Sequence, residues 1–229
     1  MTRTLVQIDA NIIRVSREYA ERKVAYYATQ EGAGSPSGAR SGIWGVETNP
    51  VRQAEAKVGE YAVALYYGLD PRTAVNRSPS KADSGGDMTL PFGVVADVKT
   101  SPAGKLYVIW SNAVNDLYWK KSFDVLISVS ISEDMTQCWI EGCMTKQEFF
   151  DLKSVADGVC DQGRLTPGTW FVRKSAMRDI DTIKQGFVGH EPSGAFVHYC
   201  QCGKLGPFGE GVSLLKGQLG KWYCGAHRP

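Results

Sequence analysis

Histidine is scarce in this chain, three residues among 229, which leaves little room for catalysis built on imidazole groups. There is no Ser/His/Asp arrangement, no glycine-rich nucleotide loop and no internal repeat, so triad hydrolases, P-loop enzymes and solenoids are set aside. No stretch approaches the roughly eighteen apolar residues that a membrane-spanning helix needs. The N-terminus lacks a cleavable signal pattern, and a reducing, cytoplasmic location is expected. Excess charge is also missing: the formal net charge is +2 and the pI about 8.2, so a nucleic-acid partner has to be argued from local patches. What the chain does have is 43% hydrophobic residues, enough for one domain of normal size and a small appendage.

The most informative stretch is Asp97-Val98-Lys99, preceded by Asp87 in Ser84-Gly85-Gly86-Asp87-Met88. Val94 to Thr100 is rich in β-branched residues and predicts a strand, in which Asp97 and Lys99 share a face with Val95 while Val94, Ala96 and Val98 pack on the other. Asp87 to Leu90 predicts a short antiparallel partner, because Pro91-Phe92-Gly93 supplies turn residues, and that hairpin would bring Asp87 close to Asp97. Val51 to Leu69 predicts a helix with one apolar stripe of Val51, Ala54, Val58, Tyr61 and Leu65 and a second of Ala56, Val63 and Tyr67. Glu60 falls inside the second stripe. A carboxylate among apolar neighbours is costly unless paired or metal-bound, which makes Glu60 a candidate third acid, with Glu55 as the fallback.

The order of helix acid, Gly-Asp and Asp-x-Lys-Thr resembles the PD-(D/E)xK nuclease superfamily. Two departures stand out: Asp97 occupies a position where many members carry Glu, and Gly86 stands where the family name has Pro. The resemblance implies an α/β fold with a mixed central sheet flanked by helices, a restriction-endonuclease-like core. It implies a metal-dependent DNA nuclease of phage or prokaryotic type, in a prokaryotic or phage-infected cell. Glu60, Asp87 and Asp97 would bind Mg²⁺ or Mn²⁺, and Lys99 would assist the attacking water. Magnesium suits such ligands because it takes hard oxygens and keeps several waters. Endo- and exonucleolytic cutting, and DNA and RNA as substrate, stay open; a homodimer would suit paired cuts in a duplex, a monomer nicking or end processing.

A second constellation lies at the C-terminus. His198-Tyr199-Cys200-Gln201-Cys202-Gly203 precedes Tyr223-Cys224-Gly225-Ala226-His227, and Cys200, Cys202, Cys224 and His227 would make a tetrahedral, structural Zn²⁺ site resembling a zinc ribbon. His198 could replace one ligand, and a disulfide pair or free thiols are the bland alternatives. Lys204, Lys216, Lys221 and Arg228 would offer phosphate contacts there, while Cys138, Cys143 and Cys160 read as ordinary core or surface thiols.

The expected organisation is therefore an N-terminal helix and linker over 1–45, a nuclease core over 46–190 and a zinc-ribbon-like segment over 191–229. Helices are expected at 8–30, at 145–151 with Thr145 as cap, and near 177–183. Further strands are expected at 123–129, 137–142 and 170–173, and an exposed loop at 72–83 whose Arg72, Arg77 and Lys81 could touch a nucleic-acid backbone. The rival reading is a zinc-ribbon DNA-binding or assembly protein on an inactive nuclease fold.

Overall fold

A computed structural model of the chain describes residues 3–31, 49–75, 86–91, 93–110, 118–157, 165 and 167–185, with short pieces at 188–190, 196–198, 208–210, 221–223 and 225–228. In order, the elements of the main body are β1 (Thr4–Gln7), α1 (Ala10–Glu31), α2 (Pro50–Tyr66), α3 (Pro71–Ala74), β2 (Met88–Thr89), β3 (Val95–Pro102), β4 (Tyr107–Trp110), β5 (Val125–Ile131), β6 (Gln137–Thr145), α4 (Lys146–Leu152), β7 (Ser154–Val155) and β8 (Trp170–Arg173). Five strands form a mixed sheet in the order β1-β6-β5-β3-β2, in which β3 and β5 run parallel and the other pairs antiparallel. A smaller sheet, β4-β8-β7, is antiparallel. The α/β class and mixed central sheet expected from the sequence are present.

The two faces of the sheet are covered differently. On one face α1 and α2 pack over Ala96 and Val98 of β3 and over Val125, Ile127, Val129 and Ile131 of β5, through Ile12, Ala20, Ala54, Val58, Tyr61 and Ala62. On the other, Phe149 of α4, Val108 and Trp110 of β4 and Val172 of β8 close over Leu126 and Met144. Helices thus cover one face, and the second is roofed mainly by β-structure and the short α4.

Local sequence explains the frame. Asn49 caps α2 by accepting from the amides of Val51 (3.0 Å) and Arg52 (3.2 Å), with Pro50 at the first helical position where its missing N–H costs nothing. α2 can approach β3 because of Gly59: a Cβ there would overlap the Thr100 side chain. Thr145 caps α4 in a reciprocal box with Glu148, as its position in the sequence predicts.

Three expectations change. The segment 1–45, set apart as helix and linker, supplies edge strand β1, which pairs with β6, and α1, which packs into the main core. The helix expected near 177–183 is two 3₁₀ turns, Lys174–Ala176 and Ile180–Gln185. At 71–74 a single turn capped by Asp70 opens the loop expected over 72–83, while Arg77 and Lys81 fall outside the described residues. No helix among the described residues is long and apolar enough to cross a membrane.

Toward the C-terminus, β9 (Val188–His190) pairs with β10 (Phe196–His198) and β11 (Phe208–Glu210) with β12 (Lys221–Tyr223), each antiparallel. Cys200, Cys202 and Cys224 lie outside the described residues, and His227 is exposed in a turn.

Candidate functional site

Alternation along β3 decides which side chains meet. Ala96 and Val98 point toward the helices, so Asp97, Lys99 and Val95 project to the opposite face, under the smaller sheet. Asp97 is completely buried. Its charge is met by the ammonium groups of Lys99, in direct contact, and of Lys121, 3.6 Å from Oδ1. Neither carboxylate oxygen accepts a hydrogen bond of good geometry. Burying an ionised carboxylate without hydrogen bonds is unfavourable. Such a group survives where function demands it or where surrounding charge compensates it.

The hairpin of the sequence reading forms. Met88 pairs with Ala96 and Thr89 with Val95, and Asp87 immediately precedes the paired residues, beside β3. Asp87 is fixed there by its own amide, which donates to the Ala96 carbonyl (2.7 Å), and by its Oδ2, which accepts from the Val98 amide (2.6 Å). Gly86 explains the absence of proline before this acid. A Cβ at Gly86 would stand 2.6 Å from the Ala96 carbonyl oxygen, and the Gly86 N–H donates to the Ser122 carbonyl at 3.1 Å, which proline could not do.

Glu60 is held elsewhere. Its Oε2 pairs with Lys57 Nζ at 2.6 Å, both side chains are buried, and the Lys57 ammonium lies 4.6 Å from the centre of the Tyr19 ring on α1. This is the helix-covered side, opposite to the one that Asp97 faces. Glu55, the fallback, pairs with Arg52 at 2.7 Å. Among the described residues no three His, Cys, Asp or Glu side chains gather as metal ligands. Of the expected residues, Asp97 and Lys99 are in contact, Asp87 is anchored to the backbone of the same strand at Ala96 and Val98, and the helix acid is held apart from them.

The surroundings are cationic and aromatic. The Lys99 and Lys121 ammonium groups lie 4.9 and 5.6 Å from the Trp110 ring centre. Burial lowers the pKa of Lys146, opposed by the negative charges of Asp124 and Asp97. Tyr118 is shifted far upward, first by burial and then by the charges of Asp97 and Asp151, and its hydroxyl donates to the Lys146 carbonyl. Beside Asp87 lies a cleft of about 460 Å³ lined by Leu69, Asp70, Thr73, Gly86 and Val95, open to solvent.

A polar stripe then continues from Asp97 along the same face. Lys99 is in register with Ser128 and Ser101 with Ser130. Lys174 Nζ donates to Ser101 Oγ (3.0 Å) and Ser130 Oγ (2.8 Å), and Ser130 donates to Glu141 at 2.5 Å. Arg3 Nε meets the other oxygen of Glu141 at 2.9 Å. Burial lowers the pKa of Lys174, against the opposing pull of Glu141. None of Lys121, Lys174, Glu141 and Ser130 was singled out in the sequence, because no local spacing links them.

No family profile, curated protein or solved structure matches the chain.

Proposed function

We propose that the chain is a divalent-metal-dependent DNA nuclease whose reacting centre is built on Asp87, Asp97 and Lys99. The observation that carries this reading is Asp97: a fully buried carboxylate held by two lysine ammonium groups, on a strand to whose backbone a second carboxylate, Asp87, is bonded at Ala96 and Val98. Hard oxygen donors suit magnesium, which commonly takes one or two carboxylates and completes its shell with water and phosphate. Asp87 and Asp97 would hold the ion. When bound, it would acidify a water and neutralise charge at phosphorus.

The protein's own groups do the rest. Lys99 and Lys121 carry compact positive charges that would draw a phosphodiester to the site and stabilise the oxygens that gain charge as the water oxygen bonds to phosphorus and the ester oxygen leaves. Lys99 is the better placed to orient the attacking water, because its ammonium already contacts Asp97. Under this reading Glu60, paired with Lys57 on the opposite side of the sheet, is not a ligand of the ion.

The rival, a non-catalytic zinc-ribbon DNA-binding or assembly protein, draws on the pairing of Glu60 with Lys57. Cleavage of plasmid and single-stranded DNA with magnesium or manganese separates the two. Asp97→Ala and Lys99→Met are expected to lose a metal-dependent activity, with the lysine change costing on the order of 10² to 10³ in kcat. Equal activity in all three proteins would refute the site. Zinc at Cys200, Cys202, Cys224 and His227 belongs to the same proposal. Purification without added zinc should yield about one zinc per chain. No zinc, with the thiols of those cysteines freely titratable, would remove the ribbon.

A further inference from the structure

The chain exposes aromatic surface that the nuclease chemistry does not use, linked through Tyr118 to Trp110, over which Lys99 and Lys121 lie. Trp119 is 52% exposed, and its ring meets that of Phe150 at 4.8 Å between centroids. Phe150 in turn meets Trp170 at 5.6 Å, and Val155, paired with Trp170 across β7 and β8, is 59% exposed. Water-facing indole is uncommon without a use, and here it belongs to a continuous patch.

The charges around this patch select its partner. Lys146 Nζ lies 5.5 Å from the Trp119 ring centre, and Lys153 Nζ lies 3.5 and 4.8 Å from those of Phe150 and Trp170. Lys120 is exposed beside them. The acids nearby are Asp124, whose Oδ2 accepts from the Val95 amide, and Asp151, whose Oδ1 accepts from Gln147 Nε2. Flat rings interleaved with lysines are the combination that binds unpaired nucleotides: bases stack on the rings while ammonium groups meet the phosphates. A duplex keeps its bases stacked on each other and offers no free base face to an exposed indole.

Chain connectivity ties the patch to the reacting centre. Trp119 and Lys121 are two residues apart in the chain, and the Lys121 ammonium lies 3.6 Å from Asp97 Oδ1, so one short segment carries both the exposed indole and a lysine of the centre.

We propose that Trp119, with Phe150 and Trp170 behind it and Lys153 beside it, is a stacking platform for an unpaired nucleotide, which makes single-stranded DNA, or the frayed end of a duplex, the preferred substrate. The position of the platform relative to the cut rests on the nuclease reading; its affinity for single strands does not.

The test is binding without turnover. Fluorescence anisotropy of a labelled oligo-dT and of a matched duplex is measured in EDTA for the native chain, Trp119→Ala, Trp119→Phe and Lys153→Gln. Trp119→Ala should weaken single-strand binding about tenfold or more and leave duplex binding within twofold, while Trp119→Phe retains most of the affinity. Lys153→Gln should reduce the slope of log affinity against log salt by a little under one. Single-strand affinity unchanged in Trp119→Ala, or equal losses on single strand and duplex, would overturn the platform. So would a change in oligomeric state in Trp119→Ala with oligonucleotide affinity unaltered, which would give the patch to a second copy of the chain. Because Trp119 is half in water, the alanine variant should fold, and the phenylalanine variant controls for folding. Failure here with metal-dependent cleavage intact sinks only the platform; single-strand binding intact with no cleavage sinks only the nuclease.

Discussion

Asp97→Asn separates a functional carboxylate from a structural one. Removing one partner of a fully buried ion pair costs about 3–5 kcal/mol, because the surviving charge is stranded without water. At this site the survivors are not stranded: the Lys99 and Lys121 side chains keep 29% and 25% of their surface exposed, while Asp97 keeps none. Their stems are long enough to carry the ammonium groups to solvent. The substitution also removes a carboxylate whose burial costs several kcal/mol, and what it breaks is the ion-pair contact with those two lysines rather than a hydrogen bond of good geometry. Against this, the new amide brings donors that need partners, worth about 1–3 kcal/mol if left unmet. The opposing effects nearly cancel, and the expected change in stability is below about 2 kcal/mol in either direction. Urea unfolding measures it as a shift of midpoint at constant slope. Metal-dependent cleavage by the same variant should fall by a factor on the order of 10² or more, since the ligand charge is lost. A loss of 3–5 kcal/mol in stability would refute the reasoning and make Asp97 a counter-ion that holds two lysines in the fold.

Other perturbations test neighbouring parts of the argument. Gly86→Ala should cost about 1–3 kcal/mol through overlap with Val95 Cγ1 and the Ala96 carbonyl, and Gly86→Pro more, because the bond to the Ser122 carbonyl is lost as well; urea titration measures both, and a neutral proline variant would contradict the close approach. Burial pushes the Cys138 and Cys143 thiols up to about 12, from an ordinary value of 9.0. Above pH 9 the unfolded chain therefore releases these protons while the native chain retains them, so stability should fall as pH rises, by about 1.4 kcal/mol per pH unit for each thiol. In Cys138→Ala the slope of unfolding free energy against pH between 9 and 11 should flatten by one thiol's share, and an unchanged slope would contradict it. Glu60→Gln leaves the buried Lys57 unpaired and should cost about 3–5 kcal/mol, whereas Lys57→Met with Glu60→Leu should recover most of that. Retained metal-dependent cleavage in the double variant is the expected result; its complete loss in a folded protein would contradict the placement of Glu60 outside the reacting centre.

Much of this centre could be read from the chain because its determinants are local. The β-branched run at Val94 to Thr100 and the turn residues after Leu90 specify a hairpin, and the hairpin ties Asp87 to the backbone of the strand that carries Asp97. The Thr145 cap and the buried thiols of Cys138 and Cys143 likewise follow from short-range rules and composition. β1 and β4 escaped because four-residue strands at a sheet edge carry too little alternation to stand out. The helix expected near Met177 became 3₁₀ turns through tertiary contacts: the Arg178 amide and carbonyl both bond Cys143 of β6, which an α-helix over the same residues would not allow.

The polar stripe marks where local reading stops. Ser128 and Ser130 alternate with Ile127, Val129 and Ile131, so a period of two is visible in β5, yet nothing in that period says which strand lies alongside. Only the parallel register, Lys99 with Ser128 and Ser101 with Ser130, turns four separate polar residues into one line running from Asp97 toward Lys174 and Glu141. Glu60 teaches the converse. Its apolar setting required either a metal or a partner, and the partner stood three residues earlier, at a spacing known to bring helix side chains together. Lys57 was therefore a legible competitor for Glu60, which the family pattern of three acids overshadowed. Asp97 has no such competitor within its own strand except Lys99, the residue the chemistry also requires. That coincidence is why the two-carboxylate centre, rather than the three-acid one, is the form in which the nuclease proposal is put to experiment.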